Sequence, residues 1–167
     1  VALRSALQVE FVDVETNRLL GGPIVSIGAP PTFAPDGALV ALTGFAGTLI
    51  LSAPSFEVVA AVPPREPGDL AIDFAWSPDG RHLALTSARG QTRVVNTSTG
   101  AAAGADLTFE PHSQLRWSAD GSQIAVISPN DASRIVDATT GATLRWLPSV
   151  RGPIELAGWA TADQRLV

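Results

Sequence analysis

"WSPDGRHLALTSARGQTRVVNTSTG" fills residues 76–100. An aromatic residue precedes an Asp-Gly turn, alternating apolar residues follow (Leu83, Leu85), and a second strand-like run closes on Thr-Gly. The pattern recurs. "FAPDGALVAL" starts at Phe33, "WSADGSQIAV" at Trp117 and "WATADQRLV" at Trp159, so an aromatic anchor returns at a nearly constant interval. Asp36-Gly37, Asp79-Gly80 and Asp120-Gly121 close three of the turns; in the fourth, Asp163-Gln164 is offset by one position. The second runs are "VEFVDVETN" (9–17), "TLILSAPSF" (48–56), "TRVVNTSTG" (92–100) and "SRIVDATTG" (133–141).

Short apolar strands separated by Asp-Gly, Thr-Gly and Pro specify an all-β fold. No window holds the apolar period of a helix over a helical length. A repeat of about 42 residues with strands a, b, c and d in each unit predicts a β-propeller, because a lone twisted blade leaves both faces exposed and radial packing covers them. The units predicted are residues 30–63, 71–108 and 113–148, with 154–167 plus 1–25 as a fourth, within a single domain over 1–167.

The fourth unit follows from the ends. The chain starts at strand c of one blade and stops partway through strand b of another, and joining end to start restores one further repeat of matching length. Val9, Phe11, Val14, Trp159 and Leu166 are the residues expected at this blade closure. Three arrangements accommodate it: two chains completing each other in an eight-bladed homodimeric ring, a segment of a longer propeller, or a closed four-bladed monomer.

The boxes at Phe33–Gly37, Trp76–Gly80 and Trp117–Gly121, with the turns "VDVETN" (12–17), "VNTSTG" (95–100) and "VDATTG" (136–141), resemble those of bacterial WD-repeat propellers. The likeness covers essentially the whole chain. It departs from the family in lacking Trp before the strand c Asp and a Gly-His pair at the start of each repeat. TolB-type propellers and those of prolyl peptidases carry similar "SPDG" boxes, but the "D-x-x-TG" turns favour the WD-repeat type. The resemblance implies a non-enzymatic scaffold docking proteins across its loop face, as a module of a larger regulatory or signalling protein. An accessory propeller gating a hydrolase and a self-assembling half-propeller are the alternatives.

Composition agrees with a packed domain: 46% hydrophobic and 16% charged residues over 167 positions. The formal charge is −5, all eleven basic residues are Arg, and nothing favours nucleic acid or an anionic membrane as partner. No run of eighteen uncharged apolar residues occurs, so membrane insertion is not expected. The chain has no cysteine and therefore no thiol chemistry or disulfide. The compartment stays open, with cytoplasm favoured over an exported domain. The all-Arg composition points to a GC-rich bacterial genome.

No cofactor, metal or catalytic group is expected. The repeated Asp of each Asp-Gly serves its own turn, and no Asp-rich calcium loop or G-x-S-x-G elbow is present. The repeated Trp residues are assigned to packing between blades. Contact candidates come from the variable d–a connections, "VPPREPGDLAI" (62–72), "FEPHSQ" (109–114) and "PSVRGPIEL" (148–156), because variable loops on a rigid scaffold carry binding. These are Arg65, Glu66, Asp69, His112 and Arg151. Trp146, in the outer strand "TLRWLPS" without counterpart in other repeats, joins them. A protein partner is the expectation.

Overall fold

The computed structural model describes residues 2–4, 7–53, 55–104, 106–128, 132–148, 159–160 and 165–166. All regular structure there is β. An N-terminal sheet holds β1 (Ala2–Arg4), β2 (Gln8–Asp13) and β3 (Arg18–Val25). Blade 1 holds β4 (Thr32–Phe33), β5 (Leu39–Gly44), β6 (Gly47–Ser52) and β7 (Val58–Val62). Blade 2 holds β8 (Ala71–Trp76), β9 (His82–Ser87), β10 (Gln91–Asn96) and β11 (Leu107–Thr108). Blade 3 holds β12 (Gln114–Trp117), β13 (Gln123–Ile127), β14 (Arg134–Asp137) and β15 (Thr143–Trp146). A terminal hairpin joins β16 (Trp159–Ala160) to β17 (Arg165–Leu166). Each sheet is an antiparallel meander, so the a–b and c–d turns lie at one end and the b–c turns and d–a loops at the other.

The strand b sequences explain how blades stack. Val40-Ala41-Leu42, Leu83-Ala84-Leu85 and Ile124-Ala125-Val126 all put an alanine between two branched residues, and all nine are buried. Successive side chains point to opposite sheet faces, so the large pair covers one face and the alanine the other. Val40 and Leu42 join Val9 and Phe11 of the N-terminal sheet in one core cluster. Leu83 and Leu85 meet Ala41, Ile50 and Val62 of blade 1 in a second. Ile124 and Val126 meet Ala84 and Val94 of blade 2 in a third. The apolar core among the described residues is thus three interblade cores; in the second and third, the branched pair of one strand b packs where the preceding strand b places its alanine.

The anchor tryptophans bridge the last two of these seams and the one between blade 3 and the terminal hairpin. Trp76 Nε1 donates to the Thr32 carbonyl (3.0 Å), Trp117 Nε1 to that of Ala75 (2.8 Å) and Trp159 Nε1 to that of Arg116 (3.2 Å). Each acceptor immediately precedes the anchor aromatic of the blade before.

The Asp-Gly turns are backbone devices, as expected. Gly37, Gly80 and Gly121 sit at φ 72°, 68° and 72°, where a side chain is disfavoured. Asp79 Oδ1 accepts from Ser77 Oγ (2.6 Å) and the Arg81 amide (3.0 Å); Asp120 Oδ1 accepts likewise from Ser118 Oγ (2.6 Å) and the Ser122 amide (3.0 Å). The same serine oxygens accept from the His82 and Gln123 amides, which start strand b. The Ser118 hydroxyl, then the Ser122 amide, hold the Asp120 carboxyl down to about 2.

At the c–d turns, Asp13, Asn96 and Asp137 each accept two backbone amides through one side-chain oxygen. Asn17, Gly100 and Gly141 follow at positive φ. Phe56 holds this place in blade 1 at φ 55°, an arrangement costing about 1–2 kcal/mol for a residue with a Cβ. Its ring stacks on Phe11 with centroids 4.1 Å apart, so burial against the preceding sheet offsets the strain.

At the chain ends, β1 lies ahead of β2 and pairs with it (Ala2↔Phe11, Arg4↔Val9), so the N-terminal run supplies part of strand b as well as strand c. Trp159↔Leu166 repeats the register of Trp76↔Leu83, while Ala2↔Phe11 closes a b–c turn one residue shorter than Ala84↔Val94 does. Among the described residues the two remain separate sheets. Val9 and Phe11 are buried; Val14 is 70% exposed in its turn.

The alternation yields a direct test. Ala84→Leu places a branched side chain in the small half of the blade 2–blade 3 seam and should lower stability by about 1–3 kcal/mol. The same change at exposed Ala101 should stay within about 0.5 kcal/mol of the parent. Urea unfolding followed by circular dichroism reads both; equal midpoints for the two variants would remove the seam from the account.

Candidate functional site

The loop end of blades 1 and 2 is built around Val62–Ala71. Pro63 and Pro64 end β7, since neither can donate to a strand ladder. Glu66-Pro67-Gly68-Asp69 then turns back, with the Asp69 amide donating to the Glu66 carbonyl (3.0 Å) and Gly68 at φ 80°, the type II pattern of Pro then Gly. The next d–a loop repeats it as Glu110-Pro111-His112-Ser113: the Ser113 amide donates to the Glu110 carbonyl (3.2 Å), and His112 takes the glycine place at φ 65°.

Ion pairs tie the first loop to blade 2. Arg65 pairs with Asp106, Arg89 with Glu66, and Arg93 Nη2 donates to the Pro63 carbonyl. The two ion pairs are substantially exposed, so each is worth under about 1 kcal/mol. Burial first, then the charge of Arg65, pulls the Arg93 guanidinium below its usual range.

Asp69 differs from its loop neighbours. It is only 5% exposed and lines a notch of about 20 Å³ with Gly47, Thr48, Arg65, Ser87, Gln91 and Arg93. Its Oδ1 and Gln91 Oε1 are shut off from solvent without a hydrogen-bond partner. Beside the notch, the b–c turn of blade 1 presses on the loop so closely that a Cβ on Gly47 would stand 2.3 Å from the Val62 carbonyl. Phe45, at the tip of that turn, is 72% exposed.

A second recess lies along strands a of blades 2 and 3. Ile72, Asp73, His112, Ser113, Gln114 and Arg116 line a cavity of about 310 Å³. Burial pushes the Asp73 carboxyl up, against the opposing pull of the Phe74 amide and Arg116. Arg116 itself donates to the Leu115 carbonyl. The recess thus offers a reluctant carboxylate, a guanidinium, an imidazole and an amide, a set suited to holding polar groups.

Of the contact residues expected from sequence, Arg65, Glu66 and Asp69 share one loop, and His112 lines the recess on the next. Arg151 lies outside the described residues. Trp146 is 55% exposed on β15, but Arg134 lies over its ring at 5.2 Å and over Phe109 at 4.9 Å. Phe45, Asp73, Gln91 and Arg116 escaped the sequence reading. Phe45 stands in "GFAG" (44–47), whose letters mark a turn but do not separate an exposed tip from a buried one.

No family model matches this chain, and no curated protein matches it either. Solved structures do. A chain from a structure described as the crystal structure of the eukaryotic initiation factor aligns with TM-score 0.64 at 19% identity, covering 87% of this chain and 40% of that one. A chain from a mitotic checkpoint complex aligns with TM-score 0.71 at 14% identity, covering 87% of this chain and 45% of that one. At such identities the likeness speaks for the fold alone. This chain spans less than half the length of either.

The raised Asp73 carboxyl makes a signed prediction. Folding disfavours its charged form, so the cost is present at neutral pH and disappears as pH falls through the raised folded value. Asp73→Asn should therefore stabilise the protein at pH 7 and give no gain below pH ~3.8, the ordinary carboxylate value. Thermal unfolding at pH 7 and 3 measures the difference, and an equal gain at both would refute the assignment.

Proposed function

We propose that this β-propeller is a non-enzymatic docking module whose loop end over blades 1 and 2 receives a protein partner. The observation that carries it is Phe45, a large aromatic side chain standing 72% exposed beside a loop braced by Arg65–Asp106 and Arg89–Glu66. Protein interfaces place aromatic residues and Arg at their centres within a polar rim, and this end supplies both. A photo-crosslinking amino acid at position 45 should form adducts with one host protein, and the same group at exposed Ser98, on the opposite end, should not. Phe45→Asp should then weaken binding of the purified partner by at least about tenfold. Equal adducts from both ends would defeat the proposal.

A second reading concerns assembly. In this reading the three-stranded N-terminal sheet would act as strands b, c and d of a blade, and the terminal hairpin as its strand a with the start of b. Two chains exchanging these parts would close an eight-bladed ring. Val9→Asp or Phe11→Asp is a poor probe, because both residues are buried against blade 1. Sedimentation equilibrium is the cleaner test: a two-chain species supports the ring, whereas a 17.3 kDa species with full β-sheet dichroism contradicts it.

A further inference from the structure

The notch between blades 1 and 2 has an internal control in the next seam. There Ser113 holds the place of Asp69 at the end of its Glu-Pro turn, and its hydroxyl is satisfied by the Glu110 carbonyl (2.7 Å) and Ser128 Oγ (3.2 Å). Blade 1's loop puts a carboxylate at that place. Asp69 Oδ1 and Gln91 Oε1 then face the notch as two buried acceptors without a donor. A buried acceptor lacking a partner costs about 1–3 kcal/mol, more when charged, so the arrangement calls for a species that donates twice.

The surrounding charges select its type. Arg65 is taken by Asp106 and Glu66 by Arg89. This leaves Asp69 and Arg93 in the same wall, with no ion pair between the described side chains of these two. Arg93 gives one donor to the Pro63 carbonyl, and a guanidinium has four more. The wall is electrically balanced, so an entering ammonium would add an uncompensated charge. A neutral group with two donors at one end and an acceptor at the other matches it. A primary carboxamide has this form. Its NH2 reaches Asp69 and Gln91 in a space of about 20 Å³, about that of one water molecule, and its carbonyl oxygen meets Arg93 at the mouth.

We propose that this notch recognises a primary carboxamide, the side-chain tip of an Asn or Gln carried by the docked partner. The inference rests on the docking role proposed for this end, and names the chemistry that would anchor the partner beside Phe45.

The test uses the whole chain without a partner, so its failure leaves the crosslinking result at position 45 standing on its own. Acetamide, titrated into labelled protein and followed by NMR, should shift the signals of residues 69 and 91 saturably. N,N-dimethylacetamide, which has no N–H, should not. Asp69→Asn, folded by circular dichroism, should weaken acetamide by about tenfold, the loss of one charge-assisted hydrogen bond. Saturable binding of methylammonium in preference to acetamide would overturn the proposal in favour of a cationic anchor. No saturable response to any probe would overturn it in favour of a site that holds water alone.

Discussion

One hydrogen bond, made three times, sets the geometry on which the rest depends. Each anchor indole reaches across a seam to the backbone carbonyl preceding the aromatic position of the blade before. Hydrophobic contact by itself is non-directional and would let neighbouring sheets slide. The N–H must point at one carbonyl, so the bond fixes height and rotation together. Once blades are registered, the branched residues of one strand b meet the alanine of the last, and the d–a loops come to rest against b–c turns. Asp69 lies just before β8 and Gln91 opens β10, and the notch they face gains its blade 1 wall, Gly47 and Thr48, through that registration.

Blade 1 shows what happens where the device is absent. Its anchor is Phe33, which has no N–H to give. Its seam with the N-terminal sheet is closed by rings instead: Phe33 meets Phe11 edge-on at 6.1 Å, and Phe56 stacks on Phe11. The left-handed backbone at Phe56 is the cost of bringing that ring inward. Ala34 likewise stands where Ser77 and Ser118 tie their Asp-Gly turns to strand b. The first seam therefore relies on apolar area where the later ones use directed bonds.

Much of this was legible in the sequence, because the local chemistry returns with every aromatic anchor. Asp-Gly turns, period-2 strands and anchor tryptophans declare themselves through recurrence. The recesses do not recur, and they escaped. Asp73 and Arg116 belong to successive repeats and meet only because strands a of adjacent blades run side by side. Asp69 looked like a solvated loop residue, since polarity and proline content say nothing about burial beneath a neighbouring turn. Phe45 was visible as a residue but not as an exposed one, because an exposed hairpin tip and a buried one share the same letters. Repetition reveals scaffold; departures from it need coordinates.

The strand b pattern has a last consequence. At strand b a blade's leading face is bulky and its trailing face is small, so the two are not interchangeable. Units built this way can join only front to back, like links in a polar polymer, and no pair can meet face to face through the same seam. Nothing in such a joint records how many links have gone before. The number of blades in a closed ring is then a property of curvature summed around the circle, and whole repeats can be gained or lost without redesigning any single contact.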